Sequence, residues 1–153
     1  MSSTPHTARL SAQEHTPQFL PVVSGLLRAG FPSPADDFAV GELDLVELLV
    51  PHPLATFFWQ VSGKSMEGAG IYDRDILVVD KSLRPAHGDI VVAEVDGAFT
   101  VKFLHKTHDE IKLVAANPDF KPITFGEEQQ LVICGVVTAV IKRFTRHVRP
   151  GRR

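Results

Sequence analysis

The stretch DIVVAEVDGAFTVKFLH, residues 89–105, decides the fold class. Two apolar, β-branched runs, residues 89–95 and 98–105, flank the dipeptide Asp96-Gly97. Asp-Gly in this position favours a two-residue type I′ turn, because that turn needs positive φ at both central residues. The stretch therefore predicts a tight antiparallel hairpin.

Further strand patterns lie on both sides of this hairpin. They are short runs rich in aromatic and β-branched residues, at positions 57–62, 76–80, 111–116 and 131–143. Little helical periodicity separates them, which argues for a mainly antiparallel β domain and against a βαβ fold. We expect a mainly β protein.

The first forty residues follow a different pattern. Residues 1–20 are polar and lack sustained periodicity, which is typical of a flexible arm. Residues 21–38 contain several glycines and prolines, and they predict an extended connector. Residues 42–49, ELDLVELL, favour a short helix that Pro51 and Pro53 end.

Composition indicates one soluble domain with an arm. The chain has 153 residues, of which 44% are hydrophobic and 22% charged, and a chain of this length can bury a sizeable core. The single cysteine, Cys134, excludes an internal disulfide framework and a zinc site of several cysteines. It is predicted to be a small buried hydrophobe in a strand.

Charge is nearly balanced, but it is unevenly distributed. The net charge of −2 predicts no general preference for nucleic acid. No acidic residue lies after position 142, where the chain is basic: Lys142, Arg143, Arg146, Arg149, Arg152 and Arg153. We interpret this end as solvated, and contact with nucleic acid or an acidic partner is the alternative. The first twenty residues lack the apolar core of a signal peptide, so a cytoplasmic protein without membrane contact is expected.

The residues alone leave the chemistry open. The histidines are scattered, and neither HExxH nor a phosphate-binding loop occurs, so no metal or cofactor is predicted. Ser65 lacks the second glycine of a hydrolase elbow, since Glu67 stands there, and a turn or cap serine is the ordinary interpretation. Lys102 shares a strand face with Thr100 and Leu104, and the alternation alone predicts a solvent-facing lysine.

Several collinear segments, taken together, carry a specific resemblance. They are FPSPADDF (31–38), SGKSM (62–66), DRDILVVD (73–80), HGDIVVAEVDGAFTVKFL (87–104) and ANPDFKPITF (116–125). With them the chain resembles, from about residue 25 to 143, the LexA/UmuD-type self-cleaving serine peptidases. Lys64 stands where an acidic or polar residue is commoner in that family.

The resemblance implies a peptidase-like β domain of the LexA/UmuD C-terminal type, with a flexible N-terminal arm and a short helix. The implied divisions are a removable arm (1–29), a post-cleavage connector (30–41), a β-rich Ser-Lys peptidase-like domain (42–144) and a basic tail (145–153).

The resemblance also implies the site. Family members cut themselves at a small-residue bond, which corresponds to Ala29-Gly30, with Ser65 as nucleophile and Lys102 as general base. Backbone amides of Ser65 and Met66 would stabilise the oxyanion. A lysine is a base only when neutral, and lowering its pKa from about 10.4 to about 7 costs roughly 4.6 kcal/mol, which burial can supply. We expect that burial to come from Leu104 and from the docked cleavage segment.

The biological role follows from the same resemblance. It implies SOS-response self-cleavage stimulated by the RecA filament on single-stranded DNA, after which the processed subunit joins a UmuC-like error-prone translesion polymerase. It further implies a homodimer and contacts with other replisome subunits. One alternative is a LexA-like regulator, which would need a helix-turn-helix domain before the cut. Another is a β-rich regulatory interaction module without catalysis, in which Ser65 and Lys102 are surface residues.

Overall fold

A computed structural model describes residues 15–32, 39–126 and 128–145. The chain divides into two compact units, residues 1–54 and 55–153. Parts of the expected arm (1–14), connector (33–38) and basic tail (146–153) lie outside the described residues.

The first unit contains a two-stranded sheet and a short helix. Strand β1 (Phe19–Ser24) pairs antiparallel with β2 (Ala39–Asp44), and helix α1 (Leu45–Leu49) follows directly. The Asp44 carboxylate accepts hydrogen bonds from the amides of Val46 and Glu47, so it caps the helix. The same carboxylate lies 3.0 Å from Nε2 of His15.

The prediction for this region was wrong in two respects. Strand β1 spans the end of the segment expected to be a flexible arm (1–20) and the start of the segment expected to be a connector (21–38), where no strand was expected, and β2 begins directly after that segment. The helix begins at residue 45 instead of 42, because Asp44 in extended geometry is its N-cap. Pairing between strands that a long connection separates has no local signature, which is why the sequence pattern did not indicate it.

The second unit is built on one seven-stranded antiparallel sheet. Its order is β3-β4-β9-β5-β6-β7-β8. The strands are β3 (Thr56–Gln60), β4 (Ile76–Asp80), β5 (Ile90–Val95), β6 (Ala98–Lys106), β7 (Ile111–Val114), β8 (Ile123–Thr124) and β9 (Leu131–Ile141). The expectation of a mainly β fold is confirmed, and β8 is the one strand of this sheet that the sequence did not indicate.

The predicted hairpin joins β5 to β6. Val95 pairs with Ala98 across the turn, and both Asp96 (φ 47°) and Gly97 (φ 83°) have positive φ. These are the backbone angles that a type I′ turn requires, so the prediction from Asp-Gly is confirmed.

Apolar side chains cover both faces of the sheet. Val92 belongs to one buried cluster with Met66, Leu77 and Val79. Its neighbour Val91 belongs to a second cluster, as expected when successive side chains of a strand point to opposite faces.

The sheet also curls within the second unit. The rings of Trp59 on β3 and Phe99 on β6 have centroids 4.9 Å apart, although three strands separate β3 from β6 in the sheet order. The curl places the end of β3 beside β6, where the candidate site lies.

Candidate active site

Ser65 lies in the connection between β3 and β4, residues 61–75, here called the Ser65 loop. Two buried side chains, Met66 and Ile71, anchor this loop in the core of the second unit. Gly63 has φ of +102°, a conformation that favours glycine, and its amide donates to the carboxylate of Asp73 at 2.8 Å. The turn after β3 thus brings the chain to Ser65 with a defined direction.

The strand β6 supplies Lys102. Its backbone pairs with that of Val91 on β5, and only 8% of the residue is exposed. The expectation from alternation alone, a solvent-facing lysine, was wrong. The sheet curls here, and the Ser65 loop covers this part of the strand. Sequence alternation distinguishes two faces of a strand, but it does not show which face another segment covers.

The two side chains meet. Nζ of Lys102 donates to Oγ of Ser65 at 2.9 Å. It also donates to Oγ1 of Thr100 at 2.8 Å and to the carbonyl of Val101 at 3.0 Å. Three acceptors around one amine fix its position, and one of them is the hydroxyl of Ser65.

Burial sets the electrostatics of this pair. Removal from water lowers the pKa of Lys102 below its ordinary value of 10.5, because desolvation disfavours the charged form. No carboxylate is among the three groups that its Nζ contacts. The site therefore favours the neutral amine more than water does.

An open cleft of about 250 Å³ borders the pair. Strand residues and the start of the Ser65 loop line it: Trp59, Gln60, Val61, Ser62, Ser65, Leu77, Val92, Phe99, Thr100, Val101 and Lys102. An extended peptide could reach Ser65 there, and the apolar walls would exclude water around the lysine.

Backbone donors are available next to the serine. In the described part of the chain, the amides of Ser65 and Met66 make no backbone hydrogen bond, whereas Glu67, Gly68 and Ala69 each donate to a carbonyl. Free amides beside a nucleophile are what an oxyanion requires.

The family comparison shows to which group of proteins the chain belongs. The sequence model described as Peptidase S24-like matches residues 21–138, which include most of β1, the whole of β2 and nearly the whole sheet of the second unit. The chain belongs to the S24-like peptidase family. The predicted resemblance to LexA/UmuD-type members is confirmed.

Curated relatives cover most of this S24-like chain. Protein ImpA of Escherichia coli is 45% identical over 130 residues, 84% of this chain and 87% of the relative. Protein SamA of Salmonella typhimurium is 44% identical over 131 residues, 86% of this chain and 91% of the relative. The LexA repressor of Ectopseudomonas mendocina is 39% identical over 125 residues, 81% of this chain and 60% of the relative.

Two residues of the S24-like site were not singled out from the sequence. Thr100 was placed on the same strand face as Lys102, and that i, i+2 relation was the signal that its hydroxyl could reach the amine. Asn117 lies in the ANPDF segment, and its side-chain amide donates to the carbonyl of Lys64 at 3.0 Å. The backbone of Lys64 therefore helps to hold the Ser65 loop, while its side chain is exposed.

The bond Ala29-Gly30 lies in the first unit of the S24-like chain. Both residues are exposed and lie in a bend after β1. Apart from its two chain neighbours, no described residue has an atom within 4 Å of a β-carbon added at Gly30. An exposed bend is accessible backbone, as a cleavable bond must be.

The remaining predictions concern metal binding, membrane contact and Cys134. In the described part of the chain, no group of three or more His, Cys, Asp or Glu side chains could hold a metal ion. Within those same ranges no helix has the length and apolar character to cross a membrane. Cys134 is partly buried against the first apolar cluster, and burial together with the charge of Glu94 raises the pKa of its thiol.

Proposed function

We propose that this S24-like protein is an SOS-response mutagenesis protein that cleaves its own chain between Ala29 and Gly30, with Ser65 as nucleophile and Lys102 as general base. The observation that carries the proposal is the 2.9 Å contact between Nζ of Lys102 and Oγ of Ser65 in a cleft that lowers the pKa of the lysine. A serine hydroxyl is a weak nucleophile until a base removes its proton.

The partners of Lys102 support its role as a base. A neutral amine has two N–H groups and one lone pair. The carbonyl of Val101 can only accept, and the hydroxyl of Thr100 lies at accepting distance, so these two groups take the N–H donors. In this neutral form the lone pair of Nζ is directed to the hydroxyl hydrogen of Ser65, so that Ser65 donates and Lys102 accepts.

The first half of the reaction forms an acyl-enzyme. Lys102 takes the proton of Ser65, and Oγ attacks the carbonyl carbon of Ala29. The oxyanion accepts hydrogen bonds from the amides of Ser65 and Met66. When the C–N bond breaks, the ammonium of Lys102 returns its proton to the leaving amine of Gly30.

The second half restores the enzyme. Lys102, neutral again, takes a proton from water, and the hydroxide attacks the ester between Ser65 and Ala29. Collapse of the tetrahedral intermediate releases the carboxylate of Ala29, and Ser65 regains its proton. Each chain carries one copy of its own substrate, so the act occurs once.

The biological setting is proposed from the family resemblance. The RecA filament on single-stranded DNA stimulates the cleavage after DNA damage, in the cytoplasm. The product, residues 30–153, forms a homodimer and joins a UmuC-like polymerase for translesion synthesis, in contact with other replisome subunits. The cut removes Arg9, Glu14 and Arg28, so the net charge changes only from −2 to −3. The change in activity on cleavage is therefore better explained by exposure of the surface that the arm covered than by the change in charge.

Mass spectrometry of the full chain tests the proposal. The parent, incubated with activated RecA filament or at high pH, should yield two fragments that join at 29/30. Ser65→Ala and Lys102→Ala should yield none. Lys106→Ala is the matched control, because Lys106 is exposed on the same strand, and it should cleave as the parent does. A fragment that starts at Gly30 in either dyad variant contradicts the assignment, and an intact parent under both conditions favours an interaction module.

A further inference from the structure

The C-terminal end of β9 is tied to the Ser65 loop. Ile141 pairs with Ile76 at the start of β4, and the next residue, Lys142, donates from Nζ to Oδ2 of Asp75. The same ammonium lies 4.6 Å from the ring centroid of Tyr72. The sequence grouped Lys142 with the basic C-terminal end, but its charge is used inside the fold.

Asp75 is buried and fully engaged. Only 6% of its side chain is exposed, and its carboxylate also accepts the amide of Tyr72 at 2.8 Å. Burial is the largest single influence and acts to raise its pKa, but the hydrogen bonds from Lys142 and from the amide of Tyr72, with the charge of Lys142, together hold the pKa below its ordinary value of 3.8. Asp75 is therefore ionised throughout the range in which Lys102 titrates.

The backbone of the same segment joins the two ends of the Ser65 loop. The amide of Val61 donates to the carbonyl of Asp75 at 2.8 Å, and the amide of Arg74 donates to the carbonyl of Val61 at 2.7 Å. A displacement of Asp75 would thus be transmitted to Val61, four residues before Ser65. Lys142 is the charged partner that opposes such a displacement.

We propose that Lys142 is a positioning residue for self-cleavage: its ion pair with Asp75 holds the base of the Ser65 loop, so that Oγ of Ser65 stays within hydrogen-bond distance of Nζ of Lys102. The inference rests on the proposed function. It concerns geometry alone, since Lys142 contacts neither Ser65 nor Lys102. Misplacement of a reacting group by about 1 Å can cost a hundredfold in rate.

The test compares spontaneous cleavage of the full chain at several pH values from 7 to 10.5. Lys142→Met should slow it at least about tenfold at every pH, and the midpoint of the pH profile should stay that of the parent. Lys142→Arg keeps a cation and should restore most of the rate. Asp75→Asn combined with Lys142→Met should be no slower than the slower single variant, because the two residues act as one unit.

A matched ion pair elsewhere provides the control. Lys112 and Glu110 form a pair at 3.3 Å on the β7 side of the sheet, and the other recorded partner of Glu110, His105, also lies outside the Ser65 loop. Lys112→Met should cleave at the parent rate. If Lys142→Met does not fold, the double variant supplies the same test, since it leaves no unpaired charge.

A second readout separates positioning from mere stability. Circular dichroism first checks that each variant is folded. Labelling of Ser65 by a serine-reactive fluorophosphonate probe should then slow in Lys142→Met and recover in Lys142→Arg. Parent rates of cleavage and labelling in folded Lys142→Met overturn the inference, and so does an equal loss in Lys112→Met or a shifted pH midpoint. Continued cleavage by Ser65→Ala or Lys102→Ala instead overturns the proposed function.

Discussion

The amide of Gly68 donates to the carbonyl of Ala116 at 2.7 Å, and a β-carbon at Gly68 would lie 2.4 Å from that same oxygen. This contact joins the Ser65 loop to the segment that follows β7. Real β-carbons do not approach a carbonyl oxygen so closely, so one of the two backbones would have to move. The loop that carries Ser65 is thus packed directly against a backbone that is distant in sequence.

Substitution of Gly68 should therefore affect both stability and cleavage. Gly68→Ala should lower the free energy of unfolding by about 1–3 kcal/mol, the usual cost of overpacking, and should slow self-cleavage. Urea denaturation and fragment analysis measure the two effects. Gly126→Ala is the control, because among the described residues beyond its chain neighbours no atom lies within 4 Å of a β-carbon there, and its φ is outside the left-handed region. Equal stability of the two variants would show that the contact is not tight in solution.

The rate of spontaneous cleavage should rise with pH. Below the pKa of Lys102 the neutral fraction increases about tenfold for each pH unit, so the rate should rise from pH 7 and level off below 10.5, the ordinary value. While it is charged, the buried Lys102 costs the fold stability, and this cost falls as pH rises through that range. The unfolded chain binds more protons than the folded one between the two pKa values, so its contribution to stability grows with pH.

Initial rates of fragment formation between pH 7 and 10.5 check this prediction. A flat profile from pH 7 to 10 would argue against lysine as the base. A rate that is still climbing through 10.5 would mean that burial does not lower the pKa of Lys102.

A side chain at Gly30 should block cleavage without affecting the fold. Gly30→Val places its β-carbon where the described part of the chain, its own neighbours aside, has no atom within 4 Å, so the free energy of unfolding should stay within about 0.5 kcal/mol of the parent. Cleavage should be lost, because the bulk prevents close approach of the carbonyl of Ala29 to Ser65. Thermal unfolding and mass spectrometry are the measurements, and efficient cleavage of Gly30→Val would place the scissile bond elsewhere.

Removal of His15 should change the titration of Asp44. The hydrogen bond from His15 is the largest influence on this carboxyl and, with the amides of Glu47 and Val46, lowers its pKa below 3.8. In His15→Ala the pKa of Asp44 should rise, as measured by carboxyl NMR shifts. A lowered carboxyl pKa contributes stability that is present above the unfolded value and is lost as pH falls through the folded value.

Asp75 is the internal control for this titration. It has its own partner, Lys142, so its pKa should be the same in the parent and in His15→Ala. Identical Asp44 titrations in the two proteins would show that the contact with His15 does not persist in solution.

Local signals accounted for the hairpin and for most strands of the second unit. Residues 76–80 and 90–95 each form a short run rich in apolar residues, and Asp96-Gly97 marks the turn. The pairing of β1 with β2 had no such signal, because their contacts join segments across a long connection that includes prolines. Strand β8, with two residues, is too short to show a period.

The candidate site was predictable only in part. Ser65 and Lys102 were named by family resemblance, whereas their residue patterns alone favoured a turn serine and a solvent-facing lysine. Burial of Lys102 depends on which segment covers its face of β6, and alternation carries no information on that. Asp75 and Lys142 were equally unremarkable as sequence, one in a turn and the other at the start of a basic end.

The sequence by itself determined most strands of the second unit, the type I′ hairpin and the family, because these depend on neighbouring residues and on collinear motifs. The tertiary structure decided which side chains meet. Lys102 reaches Ser65 across 37 residues of chain, and Lys142 reaches Asp75 across 67. These two contacts follow from the strand order and the curl of the sheet. Both of those features arise from burial of apolar surface over the whole domain. Desolvation of Lys102 has the same origin, so a residue of ordinary sequence pattern acquires an unusual pKa only in the folded chain.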